Sequence, residues 1–190
     1  MNTIIEPCCY AKQLTHNLEE SEKGSGMFHF FSFSDWGTDE LVPWVLSSVP
    51  GCEASVCLVQ IDFRSIYMLA EVMRRTYVSD RSSGKVDYVV KHLCVITQTS
   101  RIDPEKQRME FRAQLGKFID EGRLTVCEDN IGFRCITAGN GCRHIVVNGS
   151  LNQGHMEPCC QMYTMTTTKG AYMQAMEMIS SKSRTRKIKV

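Results

Sequence analysis

Three apolar stretches of strand length alternate with two segments of helical spacing, and this alternation constrains the fold more than any other feature of the chain. The stretches are "ASVCLVQID" from Ala54, "VDYVVKHLCVITQ" from Val86 and "RLTVCED" from Arg123. The first is apolar enough to suit a strand buried on both faces, although periodicity alone leaves a helix open; the second is a further β-branched run and the third a short strand. Between the first two, Ile66, Leu69, Ala70, Met73 and Tyr77 recur at helical spacing, which predicts a helix over Phe63 to Val78, closed by the loop "SDRSSGK". Between the second and third, "DPEKQRMEFRAQLGKFIDEG" carries Pro104 in its first turn, acids near its start and Gly122 at its end, a helix with both termini marked.

The flanks extend the pattern. "MFHFFSF" from Met27 is rich in aromatic strand formers, and "SDWGTDELVPWVLSSV" after it starts a helix at Ser34 or Asp35 as cap. Beyond Gly132, Phe133 to Ala138 and Cys142 to Asn148 flank Asn140-Gly141, the dipeptide favoured in tight hairpin turns. "QMYTMTT" reads as a last strand, and Tyr172, Met176 and Ile179 place a last helix over about Lys169 to Ser181. These elements predict an α/β fold: a mixed, largely parallel sheet with helices on both faces. At 190 residues the chain is sized for one domain. We place it at residues 27–181, after an N-terminal extension (1–26) ending in the hinge-like "SEKGSG" and before a basic C-terminal tail (182–190).

Charge is distributed unevenly. Net charge is +1, from 22 Lys and Arg against 21 Asp and Glu, yet "KSRTRKIKV" from Lys182 holds five of the bases and no acid. The remainder therefore has 17 bases against 21 acids, a balance of −4. Lys182, Arg184, Arg186, Lys187 and Lys189 are the candidate phosphate-contacting arm for nucleic acid, weighed against a solvated terminus; Arg74, Arg75, Arg81 and Lys85 could extend that surface. No window reaches the roughly 20 apolar residues of a membrane span, and no export signal opens the chain, so a cytoplasmic location without membrane is expected. The ten cysteines are then reduced thiols, with Cys57, Cys94 and Cys127 acting as small hydrophobes inside apolar runs.

The order of elements, the opening "FHFFSFSDWGTDELVPWVL" and the segment "GFRCITAGNGCRHIVVNGSLNQG" (132–154) together resemble a phospholipase D-like domain over roughly Met27 to Ser181. In that family a strand carries a histidine and, two residues on, a lysine; a hairpin, an aspartate position and Gly-Ser-x-Asn follow. The resemblance implies a histidine that attacks phosphorus, phosphate oxygens held by lysine, asparagine and the serine loop, and two motif copies meeting across a two-fold axis. A chain with one copy is thus expected to be a homodimer.

Gly149-Ser150-Leu151-Asn152 matches Gly-Ser-x-Asn, but the other half of the motif fails. Aligned on "GF", Arg134 and Ile136 stand at the histidine and lysine positions; aligned without gaps from Gly149, Cys135 and Thr137 do. Neither frame supplies the nucleophile or the cation that phosphoryl transfer needs. The expectation is a catalytically degenerate relative, with no catalytic residues, that binds nucleic acid (DNA or RNA) or another phosphate-containing ligand through Arg134, Gly149, Ser150 and Asn152. Two rivals stand beside it. One is an active phosphodiesterase or nuclease with a displaced set using Cys135, activated by Arg134 or Arg143, or His144. The other is a protein–protein assembly subunit, for which the methionine-rich end is a candidate seam. Cys127, Cys135, Cys142, His144, His155, Cys159 and Cys160 lack the ligand spacing of a structural zinc site, so neither metal nor cofactor is expected.

Overall fold

The computed structural model describes residues 19, 27–32, 38–58, 60–97, 105–129, 135–149 and 161–183. In chain order the elements are β1 (Met27–Ser32), α1 (Thr38–Ser47), β2 (Cys52–Leu58), α2 (Phe63–Arg74), β3 (Thr76–Asp80), β4 (Lys85–Tyr88) and β5 (Val90–Thr97). They continue with α3 (Glu105–Asp120), β6 (Leu124–Glu128), β7 (Cys135–Gly139), β8 (His144–Gly149), β9 (Gln161–Thr166) and α4 (Lys169–Ser183). Consecutive residues Ala54 to Leu58 are all buried, as expected of a strand covered on both sides.

β2 lies inside a seven-stranded sheet of order β1-β9-β8-β7-β2-β5-β6. It pairs in parallel with β5, as β5 does with β6, and antiparallel with β7. The pairs β7–β8, β8–β9 and β9–β1 are antiparallel. Five strands, β1, β2, β5, β6 and β8, therefore share one direction, and β7 and β9 oppose them. The sheet is mixed and largely parallel in strand direction, although its late half is built by antiparallel neighbours.

Side-chain alternation divides the interior in two. Ala54, Val56, Leu93, Val95, Ile136 and Ala138 face the layer of α1, α2 and α3, where Leu41, Leu46, Ile66, Leu69, Phe111 and Leu115 complete the main core. Cys57, Ile96 and Cys135 point the other way and meet Ile179 of α4, and Val146 meets Tyr172 and Ala175. Helices thus cover both faces.

Two expectations need correction. The helix expected over Phe63 to Val78 stops at Arg74, because Arg75 is extended (φ −64°, ψ 137°). Thr76 to Asp80 instead pairs antiparallel with Lys85 to Tyr88, splitting the strand expected over 86–98 into β4 and β5. The turn is organised by Asp80. Its carboxylate accepts from Ser82 N at 2.9 Å, Ser82 Oγ at 2.6 Å and Ser83 Oγ at 2.7 Å, which holds its pKa down to about 2. The base of this hairpin is tied down by Arg123, whose guanidinium lies 3.5 Å from the Tyr88 ring centroid. Arg123 Nη2 also donates to Met73 O (3.0 Å) and Val90 O (2.9 Å), joining the end of α2 to the start of β5.

α4 approaches the sheet closely over Gly139. A Cβ at that position would lie 2.6 Å from Tyr172 Cζ, and the Tyr172 hydroxyl donates to Glu53 O at 3.3 Å, so the ring has little room to move. Gly139→Ala should therefore destabilise the fold by about 1–3 kcal/mol through overpacking. Urea unfolding checks this: the loss should shrink in the Gly139→Ala, Tyr172→Leu double variant, and equal losses with and without Tyr172 would show that the ring is not the obstacle.

Candidate functional site

The hairpin that carries the motif forms because Asn140 and Gly141 turn the chain. Gly141 adopts φ +88°, a region a side chain disfavours, and the Asn140 carbonyl oxygen Oδ1 accepts from Cys142 N (3.1 Å) and Arg143 N (2.9 Å). Two side chains fasten the tip to the end of α1: Asn140 Nδ2 donates to Pro50 O at 2.9 Å and Arg143 Nη1 to Ser48 O at 3.1 Å. The register then follows, with Gly139 opposite His144 and Cys135 opposite Asn148. Gly149 ends β8 opposite Tyr163.

The motif residues are consequently divided between the two ends of the hairpin. Cys135 lies at the Gly149 end. His144 and Arg143 lie at the turn end, about 13 Å away along four residues of strand. His144 cannot act on a group held beside Gly149, and Arg143 does not sit beside Cys135. Arg134, Ser150, Asn152, His155, Cys159 and Cys160 lie outside the described residues, as do Arg184, Arg186, Lys187 and Lys189. The last helix continues through Ser183, so Lys182 is a helical residue.

The two alignment frames fall on opposite faces of β7. Ile136 is fully buried in the core beneath α1. Cys135 and Thr137 are fully buried on the α4 side. Thr137 Oγ1 lies 2.6 Å from Ser55 Oγ on β2 and donates to Met176 Sδ of α4 at 3.3 Å. Cys135 Sγ lies 3.7 Å from Cys57 Sγ. The hydrogen bond to Cys57 and burial push the Cys135 thiol far up from its ordinary value, the reverse of what an activated nucleophile needs. Sequence spacing missed Ser55, Cys57 and Tyr172 as neighbours of this strand; the signal for Ser55 and Cys57 was small residues at alternate positions of an apolar run, and that for Tyr172 was its place on the apolar stripe of the last helix.

Of the other bases, Arg74 donates to Gln114, Arg75 pairs with Glu71 and Ser47, and Lys85 lies 3.6 Å from Asp87. These charges are shared with local partners. Among the described residues no group of three His, Cys, Asp or Glu side chains is arranged to hold a metal ion, and no helix is long and apolar enough to cross a membrane.

No family model and no curated protein matches the sequence. Solved structures do. Nuc from Salmonella typhimurium, a phospholipase D family member, superposes with a TM-score of 0.52 at 10% identity, over 86% of this chain and 99% of Nuc. The chain has a phospholipase D-like fold. TrmBL2, an archaeal chromatin protein whose structure shows a novel mode of DNA binding, superposes with a TM-score of 0.50 at 10% identity, over 95% of this chain and 66% of TrmBL2. Polyphosphate kinase from Porphyromonas gingivalis gives a TM-score of 0.48 at 10% identity over 81% of this chain, which spans only 24% of that enzyme.

At the turn end, His144 packs against Tyr172 with ring centroids 5.0 Å apart. Burial, and secondarily the charge of Lys169, lower its pKa below the ordinary 6.5. A group whose folded pKa is depressed binds fewer protons folded than unfolded, so stability is complete above the unfolded value and falls as pH drops through about 6.5. Urea midpoints at pH 7.5 and 5.5 should show this loss in the wild type and a smaller one in His144→Phe. An unchanged loss in the variant would assign the pH dependence to other groups.

Proposed function

We propose that this chain is a catalytically degenerate phospholipase D-like protein that binds nucleic acid or another phosphate-containing ligand. The observation that carries the reading is the occupancy of β7. With the fold retained, Cys135 and Thr137 are sealed beneath α4, Ile136 is sealed beneath α1, and no His-x-Lys sequence occurs anywhere in the chain. A covalent mechanism lacks its nucleophile and the charge that stabilises the transferred phosphoryl group; losing such a group costs several orders of magnitude in rate.

What is retained is the binding half of the motif. Gly149-Ser150-Leu151-Asn152 follows directly from β8 and offers backbone N–H, hydroxyl and amide donors to phosphate oxygens. Arg134, the residue before β7 in sequence, would supply a guanidinium fork, and the basic residues Lys182, Arg184, Arg186, Lys187 and Lys189 follow at the C-terminus. The DNA binding named for TrmBL2, a neighbour in fold, supports nucleic acid as the ligand. In this reading residues 27–181 form the folded domain and 1–26 an extension, the basic segment 182–190 starts at the end of α4, the binding unit is a homodimer in the cytoplasm, and no cofactor takes part. The burial of Cys135 beneath α4 and the distance of His144 from Gly149 weigh against the rival with a displaced catalytic set.

The full chain and a version ending at Ser183, which leaves α4 intact, should be titrated with labelled single- and double-stranded DNA and RNA across a salt series. The full chain should bind with steep salt dependence and without cleavage. Removing Arg184, Arg186, Lys187 and Lys189 should flatten the slope by up to roughly 3–4, at about 0.7–0.9 per lost phosphate contact. Asn152→Ala should weaken binding severalfold at all salts. Indifference to every nucleic acid at low salt would discard this reading in favour of an assembly role, and cleavage that disappears on Cys135→Ala or His144→Ala would favour the displaced catalytic set.

A further inference from the structure

Beneath α4 the sheet holds a thiol pair for which the phosphate-binding reading has no use. The β2–β7 register pairs Ser55 with Thr137 and Val56 with Ile136, so the next position along sets Cys57 beside Cys135 on adjacent strands. Their sulfurs are 3.7 Å apart, against about 2.05 Å in a disulfide, and directly paired strand positions lie within the Cα separation a disulfide spans. Of the other buried thiols, Cys94 of β5 shares a hydrogen bond with Cys127 of β6, but the parallel register sets Cys94 opposite Thr125 and Cys127 opposite Ile96, and burial first, then Cys127, pushes the Cys94 pKa up to about 12. Cys52 Sγ points at the carbonyls of Val89 (3.6 Å) and Leu46 (3.9 Å), and burial pushes its pKa up to about 12.

We propose that Cys57 and Cys135 form a peroxide-oxidisable pair, a covalent modification site that crosslinks β2 to β7 reversibly. Cys57 is the attacking sulfur because it keeps some exposure where Cys135 has none, and its hydrogen bond with Cys135 holds its thiol below the ordinary value against the opposing effect of burial. Its thiolate attacks one oxygen of hydrogen peroxide. The S–O bond forms, the O–O bond breaks, and the departing hydroxide takes up the thiol proton as water, leaving a sulfenic acid on Cys57. The Cys135 sulfur then displaces that oxygen: the S–S bond forms, the S–O bond breaks, and a second water leaves with the Cys135 proton. Two thiols and one peroxide become one disulfide and two waters, and an external dithiol reverses the change. Peroxide is a small oxidant, and Cys57 retains 4% exposure.

The crosslink would pin the strand that faces Asn148, next to the Gly149 loop, to the middle of the sheet, across a separation of 78 residues in sequence. The full chain should be treated with equimolar to tenfold hydrogen peroxide, alkylated, digested and mapped by mass spectrometry beside a dithiothreitol-reduced control. A Cys57–Cys135 linkage, short of two hydrogens, should accumulate before any other disulfide and vanish on reduction. The oxidised protein should melt on the order of 5–10 °C higher than the reduced one. Full alkylation of both cysteines after oxidation, or an earlier linkage between any other two thiols, overturns the proposal. Cys57→Ser and Cys57→Ala should each abolish the linkage and the rise in melting temperature, whereas Cys52→Ala should leave both in place. These readouts do not involve nucleic acid, so they stand or fall separately from the binding reading.

Discussion

The junction of β2 with β7 is the contact on which the rest of the molecule depends. On one side of β2 the sheet grows by parallel pairing, which requires helical crossovers; on the other it grows by hairpins and antiparallel returns. The two halves meet along four paired residues, Glu53 to Val56 against Ile136 to Gly139. On the α4 side of this seam sits a polar pair, Ser55 with Thr137, joined at 2.6 Å in full burial. Two hydroxyls satisfying each other avoid the cost of unpaired polar groups, and a one-residue slip would swap the faces of β7 and leave both unpaired. Register at the seam is thereby fixed, and with it the positions of Cys135, Gly139 and Gly149.

The core of the fold was legible because parallel strands buried on both faces leave continuous apolar runs, and the amphipathic helices between them leave a stripe. The turn at Asn140-Gly141 was legible because few residues other than glycine accept the required backbone. The β3–β4 hairpin was not. Tyr77 occupies a position that continues the apolar spacing of α2, and the decisive interactions are those of Asp80 with Ser82 and Ser83 and of Arg123 with Tyr88. The first is a turn preference easily read as mere loop composition. The second joins residues 35 positions apart, which no local pattern announces.

The site was legible as a motif and not as a surface. Spacing located Gly149-Ser150-Leu151-Asn152 and the missing histidine and lysine, but two frames remained because a strand motif carries no marker of which face it presents. The packing of α4 gives that marker: Cys135 and Thr137 face Ile179 and Met176, and Ile136 faces the other core. Sequence distance also made His144 look near the motif, whereas a hairpin returns it to the far end.

Packing beneath α4 decides which side chains positions 135 and 137 of β7 can hold. A histidine and a lysine at positions 135 and 137 would need solvent or counter-charges, and a helix laid over them would bury charge at large cost. Cysteine and threonine remove that cost: each is small, and each finds a partner on β2 at hydrogen-bond distance. Tyr172 can then seat itself over Gly139 and Ile179 over the cysteines. A longer or charged side chain at either position would have to displace α4, because that helix occupies the space into which it would reach.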